Sequence, residues 1–212
     1  MMEKRAAFLF GLPVLALLCV GADVNSSIKV PAGEERDGDL STVNGGITVE
    51  ENAKVRGSCR SVNGGITLGD GAEAGSLSAV NGGIRIGEGG VVHGEASSVN
   101  GPVSLDRRSS ANEVSSVNGA ITLAGAEVTS DLRTVNGGIT LREGAIVGGD
   151  IVIEAIHGKP DRDAEPLTIE IEGGSILKGN LIVEEKARKV KVYLRDGGRI
   201  QGRVENAEVI QD

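Results

Sequence analysis

Apolar residues in this chain come in pairs two positions apart, with a polar or small residue between them. The first series is Ile28/Val30, Ile47/Val49, Ile66/Leu68, Ile84/Ile86, Val103/Leu105, Ile121/Leu123 and Ile139/Leu141. Such alternation puts both members of a pair on one face of a β-strand. A weaker pair follows about six residues later, as in Ala53/Val55, Ala72/Ala74 and Ala145/Val147. A third comes a short step further on, as in Leu77/Ala79, Leu132/Thr134 and Ile151/Ile153. Helical periodicity is absent throughout.

The whole pattern repeats. Val-Asn-Gly occurs at 43–45, 62–64, 80–82, 99–101, 117–119 and 135–137, and a worn copy, VNSSIKV, spans 24–30. The asparagines Asn25, Asn44, Asn63, Asn81, Asn100, Asn118 and Asn136 are spaced 18 or 19 residues apart. A period this short and regular marks a solenoid. Three short strands per period, each followed by a tight corner, predict an all-β, single-stranded solenoid: a triangular β-helix whose coils stack in parallel. Asn and Gly tolerate left-handed backbone angles, so the motif reads as a corner. Stacked coils then set Asn above Asn, with the amides hydrogen-bonding in a ladder as in cross-β stacks. A ligand-binding role for this column is the competing reading. In LSTVNG, LSAVNG and LRTVNG the Leu, the Ser/Thr/Ala and the Val cannot all point inward. Either of the last two could take the corner.

A further column is a Gly-x-aliphatic step: Gly38-Asp-Leu40, Gly57-Ser-Cys59, Gly75-Ser-Leu77, Gly94-Glu-Ala96, Gly149-Asp-Ile151, Gly179-Asn-Leu181 and Gly202-Arg-Val204. It loosens to Asn112-Glu-Val114 and Ser130-Asp-Leu132. These instances imply about nine coils, and at about 4.8 Å per strand spacing a rod roughly 43 Å long. The last two coils keep the pairs Ile169/Ile171 and Val192/Leu194 but replace Val-Asn-Gly with insertions at 154–168 and 184–191. Both insertions fall at one corner, so both should project from one edge. The first carries Pro160, Pro166 and the polar residues His157, Lys159, Asp161, Arg162 and Asp163. A polar loop on a rigid scaffold is the best candidate for a partner-binding element.

The N-terminus departs from this regime. MMEKR is a short basic stretch, residues 6–20 are apolar with Pro13 inside, and Val20-Gly-Ala22 suits a small-residue cleavage site. Fifteen apolar residues fall short of the roughly 20 of a spanning helix, so 1–22 is expected to be an export signal. Retention as an anchor is the alternative, and Leu18 before Cys19 argues against lipidation. The solenoid domain is then 23–212, without a transmembrane span. Loss of Glu3, Lys4 and Arg5 turns 30 acids and 22 bases into 29 and 20, a net charge of −9. An acidic surface without a basic stripe argues against nucleic acid and anionic membranes. Only Cys59 would remain, which leaves no intramolecular disulfide. With 33 Gly, no Trp and three aromatics (Phe8, Phe10, Tyr193), the core must be narrow and aliphatic.

EGAIVGGDIVIE (143–154) and EGGSILKGNLIVE (172–184) resemble bactofilins, polymer-forming bacterial cytoskeletal proteins. SVNGGITL (61–68) resembles the β-strand repeats of adhesin-like bacterial envelope proteins. The bactofilin resemblance implies a right-handed triangular β-helix and end-to-end assembly. An export signal departs from the cytoplasmic habit of that family.

Catalytic chemistry finds little support. His93 and His157 are 64 residues apart, with His93 expected at an exposed turn, and no nucleophile-elbow, Cys-x-x-Cys or His-Glu-x-x-His motif occurs. Hexapeptide acyltransferases share the period but use an aliphatic-Gly corner rule. Asp70, Glu88, Asp106 and Glu143 sit near one corner and read as a solvated face. The outward column Thr48, Thr67, Arg85, Ser104, Thr122 and Thr140 is a single file broken by Arg85, too narrow for an ice-binding array. The expectation is an exported, periplasmic or secreted envelope protein: a non-catalytic structural or assembly rod without cofactor or metal. The rival is a binding module or adhesin that uses the inserted loops to capture an envelope partner; an enzyme comes third. Pro31 and GEERDGD (33–39) guard the first coil, so self-association is expected through the C-terminal coils. There VKVYL (190–194) and Val204 are strand-like, and AEVIQD (207–212) reads as a cover or a further strand.

Overall fold

In the computed structural model the described residues are 25–155, 165–185 and 187–211; the expected signal segment lies outside them. They contain strands and turns but no helix. Every strand pairing is parallel. One ladder has ten strands, at Ile28–Val30, Ile47–Val49, Ile66–Leu68, Ile84–Ile86, Val103–Leu105, Ile121–Ala124, Ile139–Arg142, Leu167–Ile171, Val190–Leu194 and Glu208–Gln211. The other two faces of each coil come from one second sheet. In four coils a single long strand covers both faces: Lys54–Ser61, Glu73–Ala79, Val91–Ser98 and Ser110–Ser116. The register breaks between Val55 and Ser58, Ala74 and Leu77, and Ala111 and Glu113, where the chain rounds the corner. In the other coils the strand is split, for example into Ile146–Val147 and Ile151–Ile153. The described residues form a β-solenoid of nine three-strand coils and one further strand.

The paired apolar positions face inside, with Ile28 half-buried at the start of the stack. Ile47, Ile66, Ile84, Val103, Ile121 and Ile139 stack in register and are 0–2% exposed. The Gly-x-aliphatic step makes a second aligned column, in which Leu40, Cys59, Leu77, Ala96, Val114, Leu132, Ile151, Leu181 and Val204 follow one another. Stacking like on like lets a coil of fewer than twenty residues bury a full hydrophobic strip, because each coil is walled by its neighbours rather than by a second layer. His93 lies on the strand Val91–Ser98, exposed, rather than on a turn.

The two ends differ. In the first coil Arg36 stands in register with buried Val55, and the carbonyl of the adjacent Glu34 accepts from Lys54 N–H. Arg36 Nε donates to Glu34 Oε1 at 2.7 Å, so an ion pair closes the N-terminal end at apolar column positions. Charge at inward positions is a standard guard against edge stacking. At the other end 208–211 form a further strand on the first face, parallel to 191–194. Ile200, Val204 and Ala207 pack only partly against the core there, and Val209 is 39% exposed.

Candidate functional site

The Val-Asn-Gly corner is built differently from the sequence expectation. No residue of any Val-Asn-Gly triplet has positive φ. Left-handed backbone sits at the next corner instead, at Asn52 (54°), Gly71 (65°), Gly89 (66°), Arg108 (60°) and Gly125 (61°). Farther along, both Glu143 and Gly144, and both Gly173 and Gly174, take positive φ. The corner glycine is required by close approach: a Cβ on Gly64 would lie 2.2 Å from the Gly45 carbonyl oxygen of the preceding coil. The following position is looser. A Cβ on Gly65 or Gly138 would lie 3.1 Å from a carbonyl, and the chain itself carries Pro102 and Ala120 at this position in two coils.

The open choice between Thr and Val also has an answer. Thr42, Ser61, Ala79, Ser98, Ser116 and Thr134 are 0–2% exposed, while the valines after them are half-buried at the corner. A buried hydroxyl needs a partner, and each finds one in a corner backbone. Ser61 Oγ donates to Gly45 O at 2.8 Å and Ser98 Oγ to Gly82 O at 2.9 Å, whereas Ser116 Oγ accepts from Gly119 N–H at 3.0 Å.

Outside this hydroxyl column stand the seven asparagines. Asn44 Nδ2 donates to Asn25 Oδ1 at 2.8 Å, Asn63 to Asn44 at 2.9 Å and Asn81 to Asn63 at 3.0 Å. Asn100 continues to Asn81 at 2.9 Å, Asn118 to Asn100 at 2.8 Å and Asn136 to Asn118 at 2.9 Å. All donate toward the N-terminal end. Replacing Asn81 with Val removes one donor and one acceptor from the middle and is expected to cost about 1–3 kcal/mol in urea unfolding. Asn25→Val, which removes one bond at the end, should cost less; equal losses would show that the amides do not act as a ladder.

A second polar ladder went unread in the sequence. The middle residue of the Gly-x-aliphatic step accepts the backbone N–H of its counterpart one coil on: Asp39 from Ser58 at 2.8 Å, Asp131 from Asp150 at 2.9 Å, Asp150 from Asn180 at 2.7 Å and Asn180 from Arg203 at 2.9 Å. The recurrence of Asp, Asn and Ser at that position was the available signal.

The loop residues His157, Lys159, Asp161, Arg162 and Asp163 lie outside the described residues. The flanks of the two insertions meet. Ala155 N–H donates to Glu184 Oε2 at 2.8 Å, and Arg188 Nη2 to the Glu165 carbonyl. Beside them Arg133 pairs with Glu113 and Asp131, both at 2.8 Å, and reaches Glu154 at 3.8 Å. Burial pushes the Glu154 carboxyl above its usual range, with Glu184 and Glu113 adding to the rise and Arg133 opposing it.

The remaining candidates are dispersed. Burial, with Asp39 nearby, pushes the Cys59 thiol up to about 12, so it is a packed core residue and not a nucleophile. His93 lies 3.1 Å from Glu73, whose carboxyl is lowered by hydrogen bonds from Lys54 and His93. At the acidic corner Arg85 pairs with Asp106 and Arg107 with Glu143, both at 2.7 Å, and Arg108 pairs with Glu88. Asp70 caps the Glu88 N–H at 2.9 Å. Among the described residues no group of His, Cys, Asp and Glu is arranged to hold a metal ion. Thr48, Thr67, Arg85, Ser104, Thr122 and Thr140 align as one outward file.

Comparison with family models, with curated proteins and with solved structures finds no match to the chain.

Proposed function

We propose that the protein is a non-catalytic structural rod of the bacterial cell envelope, exported by its N-terminal segment and associating through its C-terminal end. One observation carries this reading: an unbroken stack of nine coils is closed by the Glu34–Arg36 ion pair at one end and left apolar around Ile200, Val204 and Val209 at the other. A charged end resists strand addition, and an end whose apolar residues are only partly buried favours it. The resemblance to bactofilins and adhesin-like repeat proteins supports the same reading and favours right-handed triangular coiling. Two copies meeting through the same end form a closed dimer rather than a filament.

Negative-stain microscopy and sedimentation of the protein test this. Rods about 43 Å long, and dimers of twice that length, are expected. Val209→Lys should return the dimer to monomer with the thermal midpoint nearly unchanged, because Val209 lies on the last strand and is already partly exposed. Compact particles without rod shape would overturn the rod. A wild type that stays monomeric at high concentration would overturn the end contact alone.

A second reading has its own support. The two insertions leave the same edge and are tied together by the Ala155–Glu184 and Arg188–Glu165 hydrogen bonds, which makes them one composite element. In that case the rod presents a binding module or adhesin, and shortening 156–164 abolishes partner capture while leaving the coils folded.

A further inference from the structure

All six Asn-Gly pairs of this chain lie in one ladder: Asn44, Asn63, Asn81, Asn100, Asn118 and Asn136, each followed by glycine. Asn-Gly is the dipeptide most prone to self-hydrolysis, because glycine has no side chain to hinder attack by its backbone nitrogen on the asparagine side chain. A chain that repeats it six times along one corner, five of them exposed and Asn136 half-buried, carries its own chemical weakness unless the fold restrains it.

The restraint is unequal. Asn44, Asn63, Asn81, Asn100 and Asn118 each donate through Nδ2 to the coil before and accept through Oδ1 from the coil after. To bring Cγ onto the next backbone nitrogen, such a side chain must break both bonds. Asn136 donates to Asn118 but accepts from no described residue, because the next coil has its insertion where an asparagine would stand. The opposite end of the ladder is Asn25, followed by Ser26 and not by glycine. The Gly137 N–H donates to Thr134 Oγ1 at 3.1 Å, a bond that attack must also break. Gly119 N–H is held in the same way by Ser116 Oγ at 3.0 Å, so in hydrogen bonding Asn136 and Asn118 differ only in the amide bond that Asn136 lacks.

We infer that Asn136–Gly137 is a self-modification site, and that the amide ladder protects the other five Asn-Gly pairs from the same reaction. The Gly137 nitrogen bonds to Asn136 Cγ and closes a five-membered imide; its proton leaves with the side-chain amide as ammonia. Water then adds to either imide carbonyl and opens the ring to aspartate or isoaspartate. The sum is amide plus water giving acid plus ammonia, with no oxidant or reductant. The product carboxylate has no N–H for Asn118 Oδ1, so Asn118 becomes the new end of the ladder. The reaction therefore advances coil by coil from the coil next to the insertions toward the N-terminal end.

Incubation of the folded full chain in mildly alkaline buffer, followed by peptide mapping that separates aspartate from isoaspartate, tests this. Asn136 should react about tenfold faster than Asn118, whose Gly119 N–H is held in the same way, one retained hydrogen bond corresponding to about that factor in rate. In concentrated urea the six sites should react at similar rates. In Asn136→Ser the Asn118 rate should rise about tenfold, while an unchanged slow reaction at Asn63 and Asn81 in the same sample reports that the coils remain folded. Equal rates at all six sites in the folded chain would overturn the inference. So would an Asn118 rate unchanged by Asn136→Ser.

Discussion

Gly119→Ala is expected to destabilise the rod by about 3 kcal/mol or more, the upper end for atoms forced into a packed interior. The added Cβ would lie 1.9 Å from the Gly101 carbonyl oxygen and 2.3 Å from its carbon. Both atoms belong to backbone, so no side chain can swing away. Relief requires the two coils to separate, yet Asn118 N–H to Val99 O at 2.9 Å and Val103 N–H to Ala120 O at 3.0 Å hold the stack on either side of the corner. The control is Gly138→Ala. Its Cβ would meet the Thr168 carbonyl at 3.1 Å, and the chain already accommodates Ala120 at the equivalent place, so less than about 1 kcal/mol is expected. Urea midpoints of the two variants decide the matter; equal losses would mean that close approach is not what reserves the first position for glycine.

Leu123→Ala should cost about 3–4 kcal/mol, the range for a leucine removed from a site that collapses only partly. Leu123 is fully buried, in register with Leu105 and Leu141. The cavity is walled by neighbouring coils whose spacing is fixed by backbone hydrogen bonds, so there is little freedom to close it. Ile28→Ala, at the half-buried start of the stack, should cost below about 1.5 kcal/mol. Because each coil touches only its neighbours, the defect at Leu123 should appear as lost hydrogen-exchange protection centred on 103–141 before global unfolding. Protection lost uniformly along the rod would show that the coils unfold as one unit.

Much of the fold was legible because a solenoid writes its structure in a short period. The pairs at 66/68, 72/74 and 77/79 name the three inward strips of one coil, and repetition at 18 or 19 residues stacks them. The asparagine column follows from the same arithmetic. The backbone angles did not follow, because Asn-Gly is read as a left-handed turn from local preference alone. The left-handed corner is the next one, where Asn52, Arg108 and Glu143 take it without resembling a motif. The buried hydroxyl column likewise defied the sequence. Thr42 and Val43 have similar shapes; the smaller side chain takes the inner position in each coil, Ala79 included, and where it is Ser or Thr the corner backbone groups satisfy its hydroxyl.

The sequence alone determined the architecture: parallel coils, their number, the aliphatic core and the single edge that receives both insertions. Those features depend on which residues recur at which spacing, and spacing is a property of the chain. The tertiary structure alone decided why the first corner residue is glycine, which hydroxyls are buried and where the ladder of amides ends. These depend on distances between atoms in successive coils, such as the 2.2 Å from a Gly64 Cβ to the Gly45 oxygen. No period in the sequence encodes such a distance; it exists only once one coil rests on another.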